Sequence, residues 1–131
     1  MSVEQNRYKQ IEAEIYSLTP LIVKEVEALF EADPDLQHRF GDTLPRLAHQ
    51  EVTRLRDLLL GAIRYDYPPI LGKQYRWLLS VAEVRDFNLK TVREHVRIFR
   101  ATLVRCLPPG DLESVLKIFD EALGLIHAQV N

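Results

Sequence analysis

The sequence has few of the residues that build disulfides, phosphate loops or membrane spans. Of its 131 residues, one is cysteine and five are glycine. A single cysteine excludes an internal disulfide and fits a reducing compartment, so we interpret Cys106 as a small buried apolar residue. The glycines are scattered and form no phosphate-binding loop. No apolar run approaches the roughly 18–20 residues that a helix needs to cross a bilayer.

The sequence also lacks an excess of either charge. Lys+Arg 17 against Asp+Glu 19 gives a formal net charge of -2. A nucleic-acid-binding surface usually requires a basic excess or stripe, so we expect no nucleic-acid partner. The segment Met1–Asn6 is polar and has no signal-peptide core. We therefore expect a cytoplasmic protein without a membrane partner. The metalloprotease and hydrolase motifs are absent as well, and we expect no enzymatic activity.

What the sequence does contain is a helical pattern of apolar residues. They recur at spacings of three and four, the spacing that places side chains on one face of a helix. We find no long alternation typical of strands. The pattern predicts a single all-α domain over residues 1–131, built from about six helices. The predicted helices cover residues 3–18, 20–31, 43–65, 69–84, 89–107 and 111 onward, with a short turn or 3₁₀ segment between residues 33 and 41.

Prolines mark the predicted helix boundaries. We expect Thr19-Pro20 to end one helix and begin the next, because Thr caps free N–H groups and Pro fits a first turn. The Pro68-Pro69 pair breaks the chain before the fourth helix. After Pro108-Pro109-Gly110, Asp111 is predicted to cap the last helix.

Several local motifs accompany this helix order. They are Asp33-Pro34-Asp35-Leu36, Arg39-Phe40-Gly41, Arg46-Leu47-Ala48-His49-Gln50-Glu51, Tyr75-Arg76-Trp77-Leu78-Leu79 and Leu107-Pro108-Pro109. Together they resemble two groups of globin-fold proteins that lack the usual haem histidine. One is the sensory globins of bacterial stress-signalling complexes. The other is the cyanobacterial phycobilisome proteins and the globins associated with bilin biosynthesis. The resemblance covers nearly the whole chain and implies a globin-like fold.

The resemblance further implies a pocket between the third and fourth predicted helices. In such proteins it holds haem, a linear bilin or only side chains. The sequence from Ala62 to Glu94 contains no histidine, so the histidine that usually binds haem iron is missing. Phycobilisome subunits attach bilin through a cysteine near the start of the third helix, where this chain has Leu47, Ala48 and His49. Any tetrapyrrole is therefore expected to bind non-covalently.

His49 is the first candidate ligand, because it lies next to the apolar stripe and neutral imidazole binds haem iron well. The alternative is a partly exposed histidine bonded to a neighbour. His95 is either a second donor or a surface or capping residue. Tyr75 and Trp77 could line a flat ligand. Tyr75 could equally belong to the core, and Trp77 could lie at a dimer contact.

Basic residues flank the third and fourth predicted helices, and Arg binds carboxylates such as propionates in a bidentate fork. The alternative is a solvated face with pairs along the helix. The expected cofactor-binding set is His49, Arg46, Val52, Thr53, Arg56, Tyr75, Arg76, Trp77 and His95, with His49 as the metal ligand.

Two functions remain open at this point. The first is a non-enzymatic globin-like sensor or regulatory protein whose pocket binds haem or a bilin non-covalently. The second is a haem-free interaction or stress-signalling domain with a pocket filled by side chains, acting as a homodimer or with a partner protein.

Overall fold

A computed structural model describes the backbone of residues 3–130 and the side chains of residues 5–124. The described chain is helical and contains no strand. Five long helices form it together with a short helix and one 3₁₀ turn. In chain order they are α1 (Val3–Glu31), α2 (Pro34–Phe40), the 3₁₀ turn (Gly41–Thr43), α3 (Leu44–Arg64), α4 (Pro69–Val84), α5 (Leu89–Cys106) and α6 (Pro109–Val130).

The predicted boundary at Thr19-Pro20 is wrong, because α1 continues through Pro20. Pro20 is exposed, while Ile15 and Ile22 on either side of it are fully buried. One apolar face therefore spans the proline and packs against α3 and α5. The hydroxyl of Thr19 donates to the carbonyl of Ile15 at 3.0 Å, within the helix, instead of capping a new one. Tertiary packing outweighs the hydrogen bond that a proline removes.

The buried apolar residues form one cluster to which every long helix contributes. α3 has the clearest stripe. Its apolar pattern predicts seven buried positions, of which six are confirmed and Ile63 is only half-buried; the six are Leu44, Ala48, Val52, Leu55, Leu59 and Ala62. The predicted core positions Ile126 and Val130, and also His127, lie outside the residues whose side chains the structure describes.

Two corrections concern the C-terminal part of the chain. α6 begins at Pro109, so Asp111 is a buried residue of its first turn and not its cap. Cys106 is exposed, against the expectation that it is buried. Its neighbours explain this, because Leu103 and Leu107 occupy the buried face of the chain there and Cys106 lies on another side.

The segment after α4 has a defined geometry. Asp86 adopts a left-handed φ of 59°. The N–H groups of Asp86 and Phe87 then bond back to the carbonyls of Glu83 and Ala82. This pair of backbone hydrogen bonds forms a Schellman motif, which ends the helix and reverses the chain.

Within the described residues, no helix is both long enough and apolar enough to cross a membrane.

Candidate functional site

A cavity of about 130 Å³ lies where the end of α1, α2, the first half of α3, the end of α4 and the start of α5 meet. Most of its wall is apolar. The apolar residues that line it are Phe30, Leu36, Phe40, Leu47, Leu78, Val81, Ala82, Phe87 and Val92. An apolar cavity of about 150 Å³ in another protein accepts benzene. The space is therefore suited to a molecule the size of a single ring.

The polar lining residues are Asp33, Glu51, Asn88, Thr91 and His95. His95 lies in the second turn of α5 with only 4% of its surface exposed. Its Nε2 atom is buried and has no hydrogen-bond partner. Burial lowers the pKa of the imidazole to about 4, so the ring is neutral at physiological pH. The imidazole and the Phe30 ring pack edge-to-face, with 6.1 Å between ring centroids and 82° between ring planes.

The predicted alternatives for His95, a surface or a capping residue, are therefore wrong. Asn88 is the residue that caps α5, where its side chain accepts from the N–H of Lys90 at 3.0 Å. His95 lies seven residues further on, which turns it towards the same side of the helix as the cavity.

Besides the neutral His95, the titratable side chains in the wall of the cavity are the carboxyls of Asp33 and Glu51. Burial raises the pKa of Glu51 above its ordinary value, and the nearby Arg54 partly offsets this. Among the residues that the structure describes, no lysine or arginine lines this cavity. The wall therefore has no cation to balance a buried anionic ligand.

Asp33 is held in place by three hydrogen bonds. Its Oδ1 accepts from the N–H groups of Asp35 and Leu36 at the start of α2. Its Oδ2 accepts from the hydroxyl of Thr91 at 2.7 Å. These bonds tie α2 to α5 on one side of the cavity.

Arg39 joins α2 to the segment that follows α4. Its guanidinium donates to the carbonyls of Arg85 and Asp86 at 2.9 and 3.4 Å, and pairs with Asp35 at 3.0 Å. It also lies 4.7 Å from the ring centre of Phe87. Phe87 in turn stacks on Phe40. We call Arg39, Phe40 and Phe87 the aromatic clasp.

A second, smaller cavity of about 30 Å³ adjoins the first. Both are lined by Glu51, Leu78 and His95. Tyr75 and Trp77 line only the smaller one. Burial raises the pKa of Tyr75 to about 12, while Trp77 is 56% exposed at the surface. Of the predicted site residues, the structure thus brings Tyr75, Trp77 and His95 together.

His49 is exposed and lines neither of these cavities. The helical period gives the reason. Leu47 and Glu51 lie four residues apart and both face the 130 Å³ cavity, and a residue midway between them points to the opposite side. The expected slot beside His49 is therefore not where the cavity lies.

The remaining predicted residues are also away from the 130 Å³ cavity. Arg46 and Arg76 are exposed, and Val52 is fully buried in the core. The hydroxyl of Thr53 donates to the carbonyl of His49 within α3. Arg56 pairs with Asp57 and lies 4.1 Å from the ring centre of Tyr16.

The 130 Å³ cavity is too small for a tetrapyrrole. Pockets for drug-sized ligands enclose about 300–1,000 Å³, and the 130 Å³ cavity is well below that range. The propionates of haem or a bilin would also meet Asp33 and Glu51 instead of arginines. In the described part of the chain, no group of three or more His, Cys, Asp or Glu side chains is placed to hold a metal ion.

Sequence reasoning missed Asp33 and Glu51 as cavity residues. Both residues were recognised only as parts of local motifs. Two aromatic residues, Phe30 and Phe40, lie close to Asp33 in the sequence and were an available signal. They line the same cavity as Phe87. Nothing in the local pattern shows that these three rings meet.

Comparison of the chain with family models, with curated proteins and with solved structures finds no match.

Proposed function

We propose that this protein is a non-enzymatic, globin-like regulatory protein whose 130 Å³ cavity binds a small, mainly apolar molecule. One observation carries the proposal. A largely apolar cavity contains a buried imidazole whose Nε2 has no hydrogen-bond partner. Leaving a buried polar atom unpaired costs about 1–3 kcal/mol, and such atoms in folded proteins call for an explanation. A ligand that pairs with the ring would recover that cost.

The positions of the surrounding residues support reversible binding. The cavity wall combines helices that share one core with the segment 85–88. This segment is joined to α2 through the hydrogen bonds of Arg39 and the stacking of Phe87 on Phe40. A ligand in the cavity contacts α2, α3, α4 and α5 at once. Its presence would therefore alter the relative stability of several helices, which is what a sensor or regulatory domain requires.

Benzene is the probe for a direct test, because its size matches the cavity. Ligand at ten times its dissociation constant stabilises the folded state by about 1.4 kcal/mol. We expect the melting temperature to rise by roughly 4–7 °C at that concentration. In NMR spectra, the backbone amide resonances that move when benzene is added should be mainly those of Phe87, Thr91 and Val92. The proposal is contradicted if benzene changes neither the NMR spectrum nor the melting temperature of the wild-type protein.

A cavity-filling variant supplies the matched comparison. Ala82 is buried in the cavity wall, whereas Ala101 is exposed on α5. We expect Ala82→Leu to abolish the benzene response while the fold is retained, because the leucine occupies the space. Ala101→Leu adds the same atoms away from the cavity and should leave the response unchanged.

The second candidate is the interaction domain without a ligand. Trp77 and Val84 lie seven residues apart on α4 and are 56% and 86% exposed. That spacing puts them on one face of the helix, where a second copy of the chain would cover them. Light scattering of wild type and Trp77→Ala tests this version. A monomeric mass for the wild type counts against it.

A further inference from the structure

We propose that the ligand of the 130 Å³ cavity is an uncharged, single-ring aromatic molecule bearing one hydroxyl, which pairs with Nε2 of His95. This inference rests on the proposed function and adds the chemical class of the ligand. Three features of the cavity lead to it.

The first feature is the shape of the apolar wall. Phe30, Phe40 and Phe87 supply three aromatic rings around a space close to the volume that accepts benzene. Aromatic side chains prefer offset or edge-to-face contact with another ring. His95 already makes such an edge contact with Phe30. A flat ring therefore makes better contact with this wall than a flexible chain of equal volume.

The second feature is the charge of the wall. Asp33 and Glu51 are the acidic side chains that line the cavity, and no lysine or arginine of the described residues lines it. An organic carboxylate or phosphate in this space would be buried near two carboxyls without a counter-charge. The two carboxyls therefore disfavour an anionic ligand and favour a neutral one.

The third feature is the unpaired atom itself. His95 is almost completely buried and lines both adjoining cavities, and its Nε2 has no partner. A neutral imidazole has one donor and one acceptor nitrogen. A hydroxyl both donates and accepts, so it can pair with Nε2 in either tautomer. A methyl group in the same place leaves the nitrogen unsatisfied.

Phenol and toluene form the isosteric pair that tests this inference, since they differ by hydroxyl against methyl. Their affinities are measured by titration calorimetry for the wild type and for His95→Phe, which keeps an aromatic ring but removes Nε2. One buried hydrogen bond corresponds to about a fivefold to tenfold change in affinity. We expect the ratio of phenol to toluene affinity to fall by that factor in His95→Phe.

A readout on the wild type keeps the test independent of how the variant folds. The ¹⁵N resonance of the His95 imidazole should shift when phenol binds and move less with toluene. An unchanged Nε2 resonance with bound phenol overturns the inference. Displacement of phenol by an equal concentration of isobutyrate overturns the requirement for an uncharged ligand.

Binding at the cavity and selection by His95 give separate results in these measurements. If neither toluene nor phenol binds the wild type, the proposed function is wrong. If toluene binds and the phenol-to-toluene ratio is the same in wild type and His95→Phe, the cavity is a binding site but His95 does not select its ligand.

Discussion

The hydroxyl of Thr91 donates a 2.7 Å hydrogen bond to Oδ2 of Asp33, across 58 residues of sequence. Both residues are buried. The bond links the cap of α2 to the first turn of α5, and both partners line the 130 Å³ cavity. It is therefore at once a structural tie and part of the candidate site.

Removing this bond should cost more than removing a comparable hydroxyl elsewhere. Thr91→Val keeps the side-chain shape and leaves Oδ2 of a buried carboxylate without its partner. Hydrogen bonds to charged groups contribute about 1.5–3 kcal/mol, so we expect about 2 kcal/mol loss in the free energy of unfolding measured in urea. Thr53→Val is the control, because that hydroxyl bonds only within its own helix. Equal effects of the two substitutions would contradict this role for Thr91.

Two glycines in helices should respond oppositely to alanine. A Cβ at Gly72 would lie 3.1 Å from the carbonyl oxygen of Ala122, where α4 meets α6. A Cβ at Gly61 would lie 3.6 Å from the Ile70 side chain, which is an ordinary contact. Alanine is favoured over glycine in a helix by about 1 kcal/mol, so we expect Gly61→Ala to raise the melting temperature.

Gly72→Ala gains the same propensity but must push a helix backbone aside, and overpacking costs about 1–3 kcal/mol. We expect a net loss of stability and a lower melting temperature. Thermal unfolding followed by circular dichroism measures both variants. A Gly72→Ala protein as stable as Gly61→Ala would show that α4 and α6 are not in close contact.

The buried His95 should make the protein sensitive to acid. Its pKa is about 4 in the folded state against an ordinary 6.5. Between these values the unfolded chain binds more protons at this site, so stability rises with pH and is lost as pH falls. The shift corresponds to about 3 kcal/mol. The raised pKa of Glu51 acts in the opposite direction, which is why the difference from a variant is the useful quantity.

The free energy of unfolding of wild type and His95→Phe should therefore be compared from pH 7 to pH 4. We expect the wild type to lose about 3 kcal/mol relative to the variant over this range. Parallel curves for the two proteins would show that the imidazole titrates normally and is not buried.

The aromatic clasp should control the exchange of a ligand more than the stability of the fold. Arg39→Met removes the hydrogen bonds to the carbonyls of Arg85 and Asp86. Because Arg39 is exposed, we expect at most about 1 kcal/mol loss of stability. Hydrogen exchange of residues 85–88 and the dissociation rate of benzene should both increase. Arg97→Met, which removes an exposed pair with Glu94, should change neither.

Much of the fold could be predicted from the sequence. The apolar period of three and four fixed the helical class and the buried face of α3, because side-chain burial follows directly from the helical repeat. The double proline at the start of α4 marks a local boundary that the structure retains. Pro20 shows the limit of such rules, since the packing of Ile15 and Ile22 on both sides of it kept one helix where local preference predicted two.

The sequence by itself determined the all-helical class and most of the buried positions, because periodicity and helix termini are local properties of the chain. Only the tertiary structure decided the candidate site. Asp33, Glu51, Phe87 and His95 come from different helices and connections, and of these four only His95 was expected in the site. Their meeting depends on how α1, α3, α4 and α5 pack, and that arrangement follows from long-range contacts that no local pattern encodes. For the same reason His49 was expected to be the ligand residue, and His95 was assigned only the role of a candidate second donor.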